Sequence, residues 1–115
     1  MNADLPSDIP AVNFTISSGA REGIDRLRAS YNANSADPAD VATIVWGRVM
    51  PKSGDPFETV VVTFYPRSMR ASIAPAIQMV SGLEVFFFAT SLDLPKFQDK
   101  VLDFAEDRGF FLRAP

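Results

Sequence analysis

Asn13-Phe14-Thr15-Ile16 alternates polar and apolar residues, the period-two pattern of a short, half-buried strand. Ser17 or Ser18 then serves as a helix cap, because a serine hydroxyl accepts the unpaired amide protons of a first turn. Ala20, Ile24, Leu27 and Tyr31 recur at spacings of four, three and four, which puts them on one face of a helix over about residues 19–31. Arg21, Arg26 and Arg28 fall off that stripe. Gly23 in the middle costs about 1 kcal/mol against alanine, and a close packing neighbour would account for it.

Residues 32–40 are rich in Asn, Ala, Ser, Asp and Pro and read as a loop. A strand follows over 41–50, with Ile44, Val45 and Trp46 as expected core. Two prolines and a glycine in 51–56 forbid ladder continuation, so 41–50 and 57–65 form an antiparallel hairpin through that turn. The second strand, with Val60, Val61, Val62, Phe64 and Tyr65, is the richest in β-branched and aromatic residues. Pro66 ends it, and 73–79 reads as a further short strand or an irregular crossing. Ser81-Gly82 marks a turn before a strand over 83–90, where Phe86-Phe87-Phe88 places large rings on both faces and requires both to be covered. Leu94-Pro95 opens a short segment in which Phe97, Val101 and Phe104 lie at helix-like spacings of four and three. Gly109 breaks it, and Phe110-Phe111-Leu112 closes as a strand. No internal repeat or low-complexity stretch interrupts this order.

The 115 residues fit one domain, expected over 12–115, with 1–11 as a proline-punctuated flexible arm. With 47% hydrophobic and 22% charged residues, the composition is that of a folded protein with one core. A formal net charge of -3 argues against nucleic acid, whose phosphates need a concentrated basic face. The longest apolar run, residues 85–89, is far below the ~20 residues of a membrane span, and Asp4, Asp8, Pro6 and Pro10 do not make a signal peptide. A cytoplasmic protein without a membrane partner is the expectation. Cysteine and histidine are both absent. Disulfides, thiolate nucleophiles, imidazole bases and zinc sites with nitrogen or sulfur ligands are therefore excluded. Serine and threonine lack the usual imidazole partner and no glycine-rich phosphate loop occurs, so the residues give no positive sign of an enzyme, a cofactor or a metal.

Two stretches carry a family likeness. One is Phe14-Thr15-Ile16-Ser17 with the helix containing Ala20, Ile24 and Leu27. The other runs from Val80-Ser81-Gly82-Leu83-Glu84-Val85, through Phe97-Gln98-Asp99-Lys100-Val101-Leu102-Asp103-Phe104, to Gly109-Phe110-Phe111-Leu112-Arg113-Ala114-Pro115. In order and spacing they resemble the HesB-like family, the A-type carriers of iron–sulfur cluster assembly. The resemblance implies an α+β, β-rich fold, a distorted sandwich or pseudobarrel with one N-terminal helix and one short C-terminal helix. It does not imply cluster ligation. The family's mid-chain cysteine would fall within Met50-Pro51-Lys52-Ser53-Gly54-Asp55-Pro56, its Cys-Gly-Cys tail would begin at Pro115, and the glycine of its "L-x-G" step is Asp99 here. Thiolate is the ligand that suits such clusters, and the sequence has none. An accessory role in iron–sulfur assembly through protein contacts is what the resemblance alone leaves.

Four groups of residues are candidates for chemistry or contact. Arg67 and Arg70 flank Ser68, and guanidinium forks bind carboxylate or phosphate bidentately, so a small anion or an acidic partner is one expected ligand class; two solvated arginines is the plainer alternative. Asp99, Asp103 and Asp107 recur every four residues and would share a helix face, where a row of carboxylates could bind a hard cation; Lys96 and Lys100 among them favour ordinary surface pairs instead. Glu84 beside the phenylalanine run is expected to face solvent, or, if buried, to have a raised pKa. Ten phenylalanines exceed what a small core readily hides, and Phe57, Phe97, Phe110 and Phe111 are candidate interface anchors. The expected role is a non-catalytic binding domain, engaging another protein or a second copy; the alternative is an anion or small-molecule binder using Arg67 and Arg70.

Overall fold

Of the two serines expected as caps, Ser17 fills the role: its hydroxyl accepts from the amide of Ala20 at 3.0 Å, and Ser18 is the first residue of the helix. The computed structural model describes residues 12–90 and 92–115, so the expected arm lies outside the described residues. Within them the chain is an α+β protein with few helices and two mixed sheets. Strand β1 (Thr15–Ile16) leads into α1 (Ser18–Ala33), then the long strands β2 (Val41–Val49) and β3 (Phe57–Tyr65). Residues 67–76 form a chain of single turns that includes the four-residue helix α2 (Arg70–Ile73). Strands β4 (Ile77–Val80) and β5 (Leu83–Phe88), the one-turn helix α3 (Leu94–Phe97), β6 (Val101–Ala105) and β7 (Gly109–Arg113) complete the order.

The first sheet runs β1-β6-β7 and the second β3-β2-β5-β4. The expected hairpin is present, antiparallel from Val41↔Tyr65 to Val49↔Phe57. Strand β2 also pairs in parallel with β5, and β1 in parallel with β6. The two sheets share one core. Phe14, Phe87 and Phe97 form its centre, with ring centroids 5.0 to 5.3 Å apart, and Ile24, Ile44, Val85 and Leu102 surround them. At their far edges the sheets are joined by side chains, since Gln78 and Ser81 beside β4 accept from the amides of Val12 and Ile16.

Gly23 has the close neighbour its position calls for. A Cβ there would lie 3.0 Å from the Phe104 ring, so the glycine lets α1 settle onto β6. Of the expected stripe, Ala20 and Ile24 are buried and Tyr31 is half-buried, but Leu27 is 41% exposed. Among the described residues no helix is long and apolar enough to cross a membrane.

The segment after α3 corrects the sequence reading. Phe97, Val101 and Phe104 do not lie on one helix: α3 ends at Phe97, Asp99 takes a left-handed turn (φ 58°), and β6 begins at Val101. Leu102 and Phe104 point to the core opposite Leu112 and Phe110, a period-two pattern that ladders on both sides favour. Asp99, Asp103 and Asp107 consequently share no face. They sit in a turn, on β6 and in the β6–β7 turn, and no group of three or more acidic side chains among the described residues is placed to hold a metal ion. Val45, expected in the core, faces outward between Ile44 and Trp46, which face in.

Candidate interaction surface

Register separates the two faces of the β3-β2-β5-β4 sheet. Ala42, Ile44, Val60, Val62, Phe64, Val85 and Phe87 turn to the shared core. Their neighbours turn outward, and they too are mostly apolar. Cross-strand pairs Val49↔Phe57, Gly47↔Thr59, Val45↔Val61 and Thr43↔Thr63 line the outer side of the hairpin, with Phe86 and Phe88 beside Thr43 and Val45. A sheet with one solvated face alternates apolar and polar residues, whereas this one is apolar on both.

The connection from β3 to β4 explains half of that pattern. Those strands are opposite edges of the sheet, so residues 66–76 must cross its outer face to join them. Ile73 and Ala76 pack there on Val41 and Phe86, with Tyr65 and Ile77 at the margin. The other half has no cover among the described residues. Phe88 is 38% and Phe57 50% exposed, so the expectation that both faces of the phenylalanine run are covered holds for Phe86 and Phe87 only. At the boundary, Thr43, Val45, Tyr65, Phe86 and Phe88 enclose a hollow of about 240 Å³. Thr43 is 4% exposed, and its Oγ1 has no hydrogen-bond partner.

The remaining phenylalanine candidates are placed differently. Phe97 is fully buried between Phe14 and Phe87, which corrects its assignment to an interface. Phe110 stacks on Phe104 at 4.8 Å at the edge of the core. Phe111 lies on the outer side of β7 under the Arg108 guanidinium, 3.9 Å from its ring centre. Of the four, Phe57 alone presents a largely free ring. Phe88 belongs to the same surface and was missed by the sequence reading; its signal was the third consecutive phenylalanine, outward by parity from Phe87.

Arg67 and Arg70 do come together, but with the protein's own carboxylates. Arg67 donates from Nη2 to Asp40 Oδ1 at 3.0 Å, and Arg70 from Nη2 to Glu84 Oε2 at 2.6 Å. Arg70 also lies 4.0 Å from Asp40. Asp37 accepts from the amide and hydroxyl of Ser68, so two guanidiniums face three carboxylates. The Arg67 hydrogen bond holds the Asp40 carboxyl below its usual range, and the partnership with Glu84 raises the Arg70 guanidinium further. Glu84 is neither freely solvated nor buried but paired. These bonds fasten the 34–40 loop to the start of the crossing segment, where Arg67 N also donates to the Pro38 carbonyl at 2.8 Å. The fork geometry that would clasp an anion is already filled. Titration with inorganic phosphate is therefore expected to give no saturable backbone chemical-shift change at residues 66–71; a saturable change there would reinstate the anion site.

No protein-family model matches the chain, and no curated protein matches it significantly.

A second polar cluster lies away from this surface. Asp103 Oδ1 accepts from the Ser17 hydroxyl at 2.7 Å and from the Phe104 amide at 2.8 Å, and Oδ2 accepts from Arg113 Nε at 2.7 Å. The Arg113 bond first, then those from Ser17 and Phe104, lower its pKa to about 2. One carboxylate so joins the cap of α1, strand β6 and the end of β7.

Proposed function

We propose that the protein is a non-catalytic interaction domain whose working surface is the open half of the outer face, built around Phe57, Val61 and Phe88. The observation that carries this reading is the apolar sheet face that its own crossing segment covers only at one end. Contiguous exposed apolar surface on a folded domain marks a docking site, and aromatic residues are the commonest anchors.

The HesB-like resemblance supports the same reading. Its two stretches are far apart in sequence, yet β1 pairs with β6, and α1 packs on β6 through Gly23 and Phe104. We take the frame to be a HesB-like distorted sandwich, with contact replacing cluster ligation as its use.

The test is a photo-crosslinking amino acid, p-benzoylphenylalanine, at position 88 in the native host. The expected result is an adduct of defined mass that disappears when Val61→Lys is added, with no adduct from the same probe at Ser30 on α1. Equal or absent crosslinking at both positions would refute the surface.

A further inference from the structure

We infer that the occupant of the open face is a second copy of the same chain, each copy inserting Phe57 into the other's hollow at Thr43. This rests on the interaction reading above and names its partner.

Three observations lead to that occupant. The hollow of about 240 Å³ accepts one ring and is smaller than pockets for drug-sized ligands, which begin at about 300 Å³. Its wall is lined by the rings of Tyr65, Phe86 and Phe88, and aromatic rings meet one another in edge-to-face and offset contacts that an aliphatic group does not make. The same face carries a knob of matching kind in Phe57, half exposed at the other end of the hairpin. Phe57 cannot fill the hollow of its own chain. Its cross-strand partner Val49 is four to six residues from Val45 and Thr43, about 13–20 Å along the strand.

Symmetry converts that separation into complementarity. A two-fold axis lying in a flat face, perpendicular to the line from knob to hollow and through its midpoint, exchanges the two positions. Each Phe57 then meets the other copy's hollow. The midpoint falls near Gly47, over which the Val61 side chain leans, so Val61 meets its own copy close to the axis. Such an isologous contact sets every residue against its own copy or its symmetry mate, so charge on the patch would repel itself. The open face carries none: the outward residues from Thr43 to Val49 and from Phe57 to Thr63 are Thr, Val, Gly and Phe. A partner of different chemistry would leave that neutrality without a reason.

The face also sets the strength. Three strands over about six residues span roughly 15 by 20 Å, well below the standard ~800 Å² per partner, so the dimer is expected to be micromolar or weaker.

Sedimentation velocity of the full chain between about 10 μM and about 1 mM brackets that range. The weight-average mass is expected to rise from 12.6 kDa toward twice that value. Phe57→Ala, on an exposed position whose loss leaves the core intact, is expected to weaken association at least about tenfold, and Phe57→Leu to weaken it too because the aromatic face is lost. Because the chain has no cysteine, Thr59→Cys beside the axis is a unique site for a short bis-maleimide. It should give a covalent dimer in the wild-type background, lose it with Phe57→Ala, and give none when the cysteine is placed at Ser30. A single 12.6 kDa species throughout the series, or a dimer indifferent to Phe57, overturns the inference. If the chain stays monomeric while the probe at 88 still gives a Val61-dependent adduct with another protein, only the choice of partner falls. If that adduct is missing as well, the interaction reading falls with it.

Discussion

Phe97→Ala is expected to destabilise the protein by about 3–5 kcal/mol, read as a lower urea midpoint at unchanged slope. The ring is 0% exposed and meets Phe14, Phe87 and Trp46 at 5.3, 5.0 and 6.2 Å between centroids. It is the one buried side chain of α3, a helix of a single turn that has no propensity to stand alone. Removing it leaves a cavity and also takes away the side chain that anchors α3, and with it the turn into β6, to the core. A domain of this size has only about 5–15 kcal/mol in total, so the variant should be near the edge of folding at 37 °C. Phe97→Leu fills most of the volume and should recover more than half of the loss. A change below about 1 kcal/mol for the alanine variant would mean that Phe97 is not at the centre of the core.

The second large effect is that of Asp103→Asn, and its sign depends on pH. The bonds from Arg113, Ser17 and the Phe104 amide hold the folded carboxyl at about 2, below the ordinary aspartate value of 3.8. A lowered folded pKa gives stability that is fully present above the unfolded pKa and is lost as pH falls through the folded one. The bonds of Asp103 therefore hold fully above about pH 4 and are lost progressively toward pH 2. Asparagine keeps the shape but loses the charge and one acceptor, and the site is a quarter open to solvent. A loss of about 1–2 kcal/mol at pH 7 is expected after allowance for screening. Asp40 and Asp93, also held below their usual range, add to acid sensitivity. The informative quantity is hence the difference between wild type and variant across a pH series. It should be constant from pH 7 to about 5, shrink below 4, and be mostly but not wholly lost at 2, where the folded carboxyl is still half ionised. A difference that is undiminished at pH 2 would place the effect in packing and not in the charge.

Local rules accounted for much of the fold. Ser17, the Gly23 approach, the turn at 51–56 and the strand at 57–65 each follow from chemistry within a few residues. The stretch from Phe97 to Phe104 did not, because it satisfies two periods at once: 97, 101 and 104 fit a helix, while 102 and 104 fit a strand. Only β1 and β7, one from the far end of the chain, decide between them. The same distance hid the meaning of Arg67 and Arg70. Their partners Asp40 and Glu84 lie 27 and 14 residues away, so a pair that reads as open to an anion is closed by tertiary structure. For the surface, Phe57 was legible as an excess aromatic. Phe88 and Thr43 were not, since which half of the outer face stays open depends on the path of residues 66–76 over it.

The parallel pairing of β1 with β6 has a consequence for how the chain comes to be made. Thr15 meets Val101, and Ser17 bonds to Asp103 across 86 residues. Synthesis proceeds from the N-terminal side, so β1 leaves the ribosome long before its ladder partner exists. The β2–β3 hairpin closes locally and early, but Phe14 waits for Phe87 and Phe97, and Ile16 for Leu102 on β6. Completion of the first sheet thus waits for its later-made strands by topology, and the nascent protein passes through a stage with early hydrophobic residues uncovered.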